Sequence, residues 1–220
     1  TAGAADHYGT GLSGLCGTGS HSAADVVYSF TPATSGNYTA RATASGGWSP
    51  SLYVTTTCVL ASSCVAVSLD DELNFRGTAG ITYFIVVDGR SASNFGPFAF
   101  SVTAATAPPN DTCATPTPLA ENVPVSGTLQ GAVNDLMPGG ACFYSRSSIE
   151  VVYSFTPSAT GPYTFSETGS LDTVLWLSSG TCGGPSCTAL IDSPETLVRT
   201  LTAGVTYYLV VESYSYPGGL

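Results

Sequence analysis

The heptapeptide Val-Val-Tyr-Ser-Phe-Thr-Pro at residues 26–32 occurs again, unchanged, at residues 151–157. A second stretch, Thr-Ala-Gly-Ile-Thr-Tyr at residues 78–83, returns with a single substitution at residues 202–207. Both matches keep the same order and are separated by about 124 residues. A match of this length and order indicates two copies of one structural unit, so the fold of one copy predicts the fold of the other.

Each copy consists of short runs of β-branched and aromatic residues bounded by Gly, Pro, Ser or Asn, a pattern typical of strands. Helical apolar spacing is not found in the sequence. The predicted strands are 26–30, 37–43, 51–56, 72–75, 81–88, 98–103, a strand near 123–129, 150–155, 162–167, 173–177, 197–201 and 205–212. This density of short strands predicts an all-β fold with two tandem antiparallel β-sandwich repeats of jelly-roll type.

The Thr-Ala-Gly-x-Thr-Tyr segment predicts a turn followed by a strand. Glycine adopts positive φ at little cost, so Ala-Gly suits the turn. The run that follows is apolar at successive positions and therefore on both faces. We expect it to be a central strand, buried on both sides.

The repeat predicts the domains 1–107 and 108–220. They are joined by the short linker 104–110, which Pro108-Pro109 stiffens. The first copy begins at the counterpart of about Gln130, and the second stops before the counterpart of strand 98–103. We therefore expect the first domain to be truncated at its N-terminus and the second at its C-terminus, as in a window on a longer array. The alternative is that a neighbouring subunit donates the missing strand.

Composition excludes several functions. The five basic residues are all Arg and face fifteen acidic ones, for a net charge of −10, and charged residues make up 9% of the chain. Nucleic-acid binding and attraction to anionic membranes both need a basic surface, so neither is expected. Long apolar runs are missing as well, which argues against membrane insertion.

Catalytic motifs are also missing from the sequence. It has no Gly-x-Ser-x-Gly, no His-Glu-x-x-His and no glycine-rich phosphate loop. His7 and His21 both lie in the first copy, so a role shared by the two copies does not use histidine. We expect a protein that is not an enzyme and requires no cofactor.

Seven cysteines in a chain of this size are typical of an oxidising compartment, which favours a secreted protein. Two pairs are close in sequence, and we predict them to form local bridges, which leaves one bridge between the two remaining cysteines of the second copy. The first copy's other cysteine would then be an orphan, because its partner would fall before Thr1. A zinc site is the weaker alternative, since Cys-x-x-Cys is missing and no His has a ligand spacing. The predicted bridges are Cys58–Cys64, Cys182–Cys187 and Cys113–Cys142, with Cys16 the orphan.

The sequence resembles the bacterial pre-peptidase C-terminal domain family, in particular the cysteine-bearing tandem form found in secreted and surface proteins of myxobacteria-like bacteria. The motifs that carry the resemblance are Asp-Val-Val-Tyr-Ser-Phe (25–30), Asn-Asp-Thr-Cys (110–113), Gly-Pro-Tyr-Thr-Phe (161–165), Leu-Asp-Thr-Val-Leu-Trp-Leu (171–177) and Leu-Thr-Ala-Gly-Val-Thr-Tyr-Tyr-Leu-Val-Val (201–211). The resemblance implies noncatalytic β-sandwich modules, either appended to secreted proteases or arrayed in surface proteins. It also implies that some members bind calcium and some bind polymers such as collagen.

Calcium is the metal that the composition favours, because hard carboxylate oxygens suit this ion. The candidate ligands are Asp70 and Asp71 in the first copy, and Asp172 with Asp192 in the second. The resemblance points to Asp172, whereas the first copy has Ser49 at that place. The alternative is that these acidic loops only keep a weakly charged protein soluble.

Aromatic residues in loop-like contexts offer a binding surface for polymers. Trp48, Tyr214 and Tyr216 are the candidates for stacking on sugar rings, and the alternative is that they pack over the ends of the sandwich. Asn37 and Asn110 begin N-glycosylation sequons. For Asn110, the capping of a turn before a strand is a structural alternative.

Together these features predict a secreted structural or adhesive module at the cell surface or in an extracellular filament. Its expected partners are further copies of the repeat or of the chain itself, or an extracellular polymer. The alternative function is an accessory module that targets a secreted hydrolase to a polysaccharide or a collagen-like polymer.

Overall fold

The computed structural model describes Ala5 and residues 23–58, 63–136, 148–183 and 187–214. The chain is all-β in these residues, and nearly all its strand pairs are antiparallel. This confirms the prediction of an all-β fold with antiparallel sheets. The chain divides into two compact units between Thr106 and Ala107. Within the described residues, no helix has the length and apolarity that a membrane span requires.

The first unit contains a four-stranded and a three-stranded sheet. The four-stranded sheet has the order β1-β6-β3-β4, and the three-stranded sheet has the order β5-β2-β7. The strands are β1 (Val26–Phe30), β2 (Gly36–Ala44), β3 (Pro50–Thr55), β4 (Cys64–Ser68), β5 (Glu72–Gly77), β6 (Tyr83–Gly89) and β7 (Phe98–Ala105).

The second unit contains a five-stranded and a two-stranded sheet. Their orders are β12-β11-β14-β9-β8 and β10-β13. The strands are β8 (Thr117–Pro118), β9 (Glu150–Phe155), β10 (Gly161–Ser166), β11 (Thr173–Ser179), β12 (Cys187–Ile191), β13 (Thr196–Leu201) and β14 (Tyr207–Ser213). The order β9-β14-β11-β12 corresponds to β1-β6-β3-β4 of the first unit, and the pair β10-β13 corresponds to β2-β5.

Aromatic rings join the two sheets of each unit. In the first unit, Phe30 of the four-stranded sheet packs edge-on against Tyr38 and Phe75 of the three-stranded sheet. In the second unit, Phe155 meets Tyr163 and Phe165 in the same way. Ring pairs of this kind contribute beyond the area that they bury, so they help to hold each pair of sheets face to face.

The two motifs that repeat in the sequence meet at one turn. Gly80 has a φ of 76° and donates its N–H to the carbonyl oxygen of Pro32 at 2.9 Å. Gly204 has a φ of 75° and makes the same bond to Pro157. The prediction of an Ala-Gly turn is therefore confirmed. The strands that follow, β6 and β14, are interior strands of their sheets and are buried on both faces, as predicted.

Four parts of the strand prediction are wrong. Strands β4, β8 and β12 were not predicted. The predicted strand near 123–129 is not formed, and only an isolated bridge joins Ala120 to Val123. Val123 and Val125 are instead exposed, at 58% and 42%.

In the second unit, residues 110–136 form a strap, whose middle contacts β10 through Glu121 and Tyr163 and whose end adds a third layer. The strap begins at the edge of β9, where the main chain and the side-chain amide of Asn110 both bond to Val152. Further on, Leu136 packs against a fully buried row formed by Val152, Trp176 and Val210. The large sheet of this unit is therefore covered on the face that points away from β10 and β13.

A disulfide joins the strap to the sheet, and it corrects the predicted pairing. Cys113 is bonded to Cys182, with 5.7 Å between their Cα atoms. The strap carries Cys113 across the sheet to the loop after β11, which the spacing of cysteines along the chain does not show. The predicted Cys113–Cys142 and Cys182–Cys187 bridges are therefore wrong.

The Cys58–Cys64 bridge is wrong as well. Cys64 is disulfide-bonded, but Cys58 is exposed and is not its partner. The side chain of Cys64 packs instead against the buried cluster of Tyr53, Val67 and Val86. Cys187 is also disulfide-bonded. Several residues named in the sequence predictions lie outside the described residues, namely His7, Cys16, His21, Cys142 and Tyr216.

Candidate functional site

The two aspartates predicted as calcium ligands in the first unit each form an ion pair with an arginine. Asp70 and Asp71 lie in the loop between β4 and β5. The carboxylate of Asp70 accepts a hydrogen bond from Arg90 at 2.6 Å, and Asp71 lies 3.8 Å from Arg41. Burial raises the pKa of Asp70, against the lowering effect of Arg90 and with a further rise from Asp71. Each carboxylate thus already has a cation beside it.

The second predicted pair lies at loop edges of the second unit. Asp172 is exposed just before β11, and its carbonyl oxygen accepts the N–H of Tyr214 at 3.0 Å. Asp192 is half-buried between β12 and β13. In the part of the chain that the structure describes, no three His, Cys, Asp or Glu side chains are grouped to hold a metal ion. Calcium binding therefore stays a prediction.

The aromatic candidates divide into two groups. Trp48 is 8% exposed, donates its indole N–H to the carbonyl oxygen of Pro97 at 3.1 Å and packs edge-on against Phe98. The prediction that Trp48 is an exposed stacking residue is therefore wrong, because the ring closes the end of the sandwich. Tyr214 is 43% exposed and stays a candidate.

Both N-glycosylation sequons lie on buried asparagines. Asn37 in β2 and Asn110 in the strap are each 4% exposed. The side-chain amide of Asn110 donates to the carbonyl oxygen of Val152 at 3.0 Å. A glycan on either nitrogen would have to displace neighbouring protein, so the folded chain is a poor acceptor at both sites.

The most unusual chemical feature is a pair of buried glutamates under the strap. Glu150 and Glu212 lie directly opposite each other in the β9–β14 ladder and are 1% and 4% exposed. One oxygen of Glu150 accepts the backbone N–H groups of Asp135 and Leu136, at 2.6 and 2.7 Å. An oxygen of Glu212 accepts the indole N–H of Trp176 at 2.9 Å. The two carboxyl groups thus hold the end of the strap and the central tryptophan.

Burial makes these carboxyl groups weak acids. It raises the pKa of Glu212 to about 7, even though the hydrogen bond from Trp176 favours the charged form. Burial also raises the pKa of Glu150 well above its usual range, against the two backbone N–H bonds, and the nearby Glu212 adds repulsion. Both carboxyl groups are therefore more readily protonated than ordinary glutamates, which reduces the repulsion between two opposed buried charges.

The first unit has acidic residues at the corresponding positions. Asp88 of β6 takes the place of Glu212 and is fully buried, and Asp25 takes the place of Glu150. The hydroxyl of Tyr53 donates to Asp88 at 2.9 Å, as the indole of Trp176 does to Glu212. The shorter Asp side chain also accepts the N–H of Gly89 at 2.6 Å. An aromatic donor bonded to a buried carboxyl group is therefore present in both units.

The sequence contained one signal for this arrangement. Asp88 and Glu212 each end an apolar run in a strand expected to be central, where an acidic residue is costly unless it is bonded. The partners could not have been found in this way, because Tyr53 and Trp176 lie on a neighbouring strand, and Asp135 and Leu136 lie in the strap.

Comparisons with known proteins add little. No family model matches the chain, and no curated protein matches it. Among solved structures, a protein of unknown function from Pseudomonas syringae pv. tomato, described as a member of the DUF861 family, aligns with 86% of this chain and 80% of its own length. The identity is 11% and the TM-score is 0.14, so this likeness carries no argument about fold or function.

Proposed function

We propose that this chain is a noncatalytic structural module of a secreted protein, displayed at a cell surface or in an extracellular filament, where it associates with further repeats of its own kind. One observation carries the proposal. The polar contacts that occur in both units are contacts that hold strands, turns and sheets in place.

These shared contacts are specific. The hydroxyl of Tyr83 accepts the N–H of Thr78 at 3.0 Å, and Tyr207 does the same for Thr202. Further matching pairs are Thr31–Thr82 with Thr156–Thr206, Ser35–Ala79 with Thr160–Ala203, Tyr38–Thr34 with Tyr163–Ala159, and Tyr53–Asp88 with Trp176–Glu212. What the units share is a scaffold, as expected when a module is repeated for its shape.

The disulfides support a secreted location. A bridge such as Cys113–Cys182 persists in oxidising compartments and is rare in the reducing cytosol. The resemblance to pre-peptidase C-terminal domains points the same way. The low charge of the chain, 9% of its residues, also lets hydroxyl-rich surfaces approach each other with little repulsion.

Immunogold electron microscopy of the producing cells tests this proposal. We expect label along filaments or surface layers, together with release of the protein only by treatments that disassemble them. Recovery of the whole protein as dispersed monomers in the medium, at high concentration and without assemblies, would contradict the proposal.

One observation favours a polymer-binding accessory role as a second candidate. Leu171 and Tyr214 are exposed at 39% and 43%, and the Tyr214–Asp172 bond brings their two segments together. Depletion assays on insoluble polysaccharides and collagen, with Tyr214→Ala as the variant, distinguish the roles. Binding that the variant loses supports this second role, and equal binding by both proteins contradicts it.

A further inference from the structure

Strand β13 is the outermost strand of the small sheet in the second unit. It pairs with β10 on one side and, in the described residues, with no strand on the other. Its counterpart β5 is also outermost in the first unit, on the side of β2 away from β7. The outer edge of this strand is therefore a feature that both units share, and it lies on the opposite side of the sheet from the place of β7.

Backbone groups on the outer edge of β13 point away from β10. The N–H of Glu167 donates to the carbonyl oxygen of Glu195 at 3.0 Å, which fixes the phase of the β10–β13 hydrogen bonds. Because orientation alternates along an antiparallel strand, the N–H and C=O groups of Val198 and Thr200 point outward. In the part of the chain that the structure describes, no hydrogen bond reaches these outward groups.

The two units differ in the side chains that guard this edge. In the first unit the outward positions of β5 include Glu72 and Arg76, and charged side chains at a sheet edge oppose pairing with another chain. The corresponding positions of β13 are Thr196, Val198 and Thr200, which are uncharged, β-branched and exposed, Val198 at 59%. The edge of β13 therefore lacks the charges that protect the edge of β5.

We propose that two copies of the chain pair edge to edge through β13, in an antiparallel register that is symmetric about Val198. Pairing of this kind gives affinity through main-chain hydrogen bonds, and the symmetric register makes each copy present the same surface to the other. The small sheets of the two copies then form one sheet of the order β10-β13-β13-β10. The inference deepens the proposed function and rests on it only in taking the partner to be a second copy.

The symmetric register matches like side chains across the contact. Each Val198 lies opposite Val198 of the other copy, and their outward N–H and C=O groups exchange two hydrogen bonds. On either side, Thr196 lies opposite Thr200 of the other copy. Cross-strand pairs of β-branched residues stabilise a sheet, so the exposed side chains on this face favour the same register as the backbone.

The charged side chain of β13 is compatible with this register. Arg199 lies opposite Leu197 of the other copy, and its guanidinium donates to the carbonyl oxygen of Thr188 on β12 of its own copy. Like charges are therefore not set directly opposite each other, as would be destabilising. Pairing of β13 with β5 of another copy would instead place Glu72 and Arg76 at the contact.

Disulfide trapping of the full chain tests the proposal. The variant is Val198→Cys, made with the exposed Cys58 replaced by Ser. Directly opposed residues of a hydrogen-bonded pair have Cα atoms about 5.5 Å apart, a distance that a disulfide spans. We expect a covalent dimer under mild oxidation. The matched control is Thr164→Cys, which lies opposite Val198 on β10 and is exposed on the same face. It should cross-link at least about tenfold more slowly, because pairing does not bring its two copies together.

The register is tested by two further variants in the same background, Thr196→Cys and Thr200→Cys. Each should cross-link slowly alone, and a mixture of the two should form heterodimers quickly, because these positions face each other only between copies. The proposal is overturned if Val198→Cys reacts no faster than Thr164→Cys, or if the mixture reacts no faster than its components. Filaments seen by microscopy without trapping at Val198 would refute this contact and leave the proposed function standing.

Discussion

Replacing Glu212 with Gln should make the second unit more stable above neutral pH. The Gln side chain keeps an oxygen that can accept the indole N–H of Trp176, which is 2.9 Å away in the native protein. It cannot ionise, however, so it never places a second negative charge opposite Glu150 in the β9–β14 ladder. The substitution therefore isolates the cost of charging this buried position.

The magnitude follows from the pKa of Glu212, which burial raises from its ordinary value of 4.5 to about 7. A folded-state pKa above the unfolded value means that the folded state binds the proton more tightly. The resulting stabilisation is complete below about pH 4.5 and is lost as the pH rises through about 7. At about 1.4 kcal/mol for each pKa unit, the native chain should lose about 3 kcal/mol of stability from this group between pH 4.5 and 8.

Urea unfolding at pH 5, 6, 7 and 8 measures this effect. In a Trp48→Phe background, fluorescence of Trp176 reports on the second unit alone. The free energy of unfolding of the parent should fall as the pH rises. In Glu212→Gln this dependence on pH should be weaker, and the part that is left should come from Glu150. Glu121→Gln, which removes an exposed carboxylate, is the control and should keep the parental slope. The reasoning would be refuted if the free energy of unfolding depended on pH equally in the parent and in Glu212→Gln.

Two further substitutions test other parts of the structure. Tyr53→Phe removes the hydroxyl that donates to buried Asp88 at 2.9 Å, so it should cost about 1–3 kcal/mol in urea unfolding. A loss of unfolding free energy below about 0.3 kcal/mol would show that this hydrogen bond does not stabilise the unit. For calcium, Asp172→Ala should lower the melting temperature only when calcium is present, because an ion bound to the folded state stabilises by linkage. Identical melting curves of the native chain in calcium and in chelator would end that idea.

The strands were predictable where each one carries its own signal. The Val-Val-Tyr-Ser-Phe run and the Thr-Ala-Gly turn are local features, and the structure places both as expected. Strands β4 and β12 carry a weaker signal. Their sequences, Cys-Val-Ala-Val-Ser and Cys-Thr-Ala-Leu-Ile, contain no aromatic residue, and both strands lie at the edges of their sheets.

The candidate site was harder to predict because its contacts join distant segments. The bond between Glu150 and the strap spans about 15 residues of sequence, and the disulfide of Cys113 spans 69. Spacing along the chain does not report such proximity. The prediction that Trp48 is exposed was wrong for a related reason. A tryptophan in a glycine-rich loop gives no sign that the loop folds back over the sandwich.

Single-molecule force spectroscopy tests most directly the central claim that the second unit is a structural module clamped by its strap. With the disulfide intact, the 69 residues between Cys113 and Cys182 cannot extend, and reduction should lengthen the unfolding step of this unit by about 230–250 Å. Bridges between sequence neighbours, Cys113–Cys142 and Cys182–Cys187, would give about 110–120 Å instead. That shorter gain, or no change on reduction, would contradict the account.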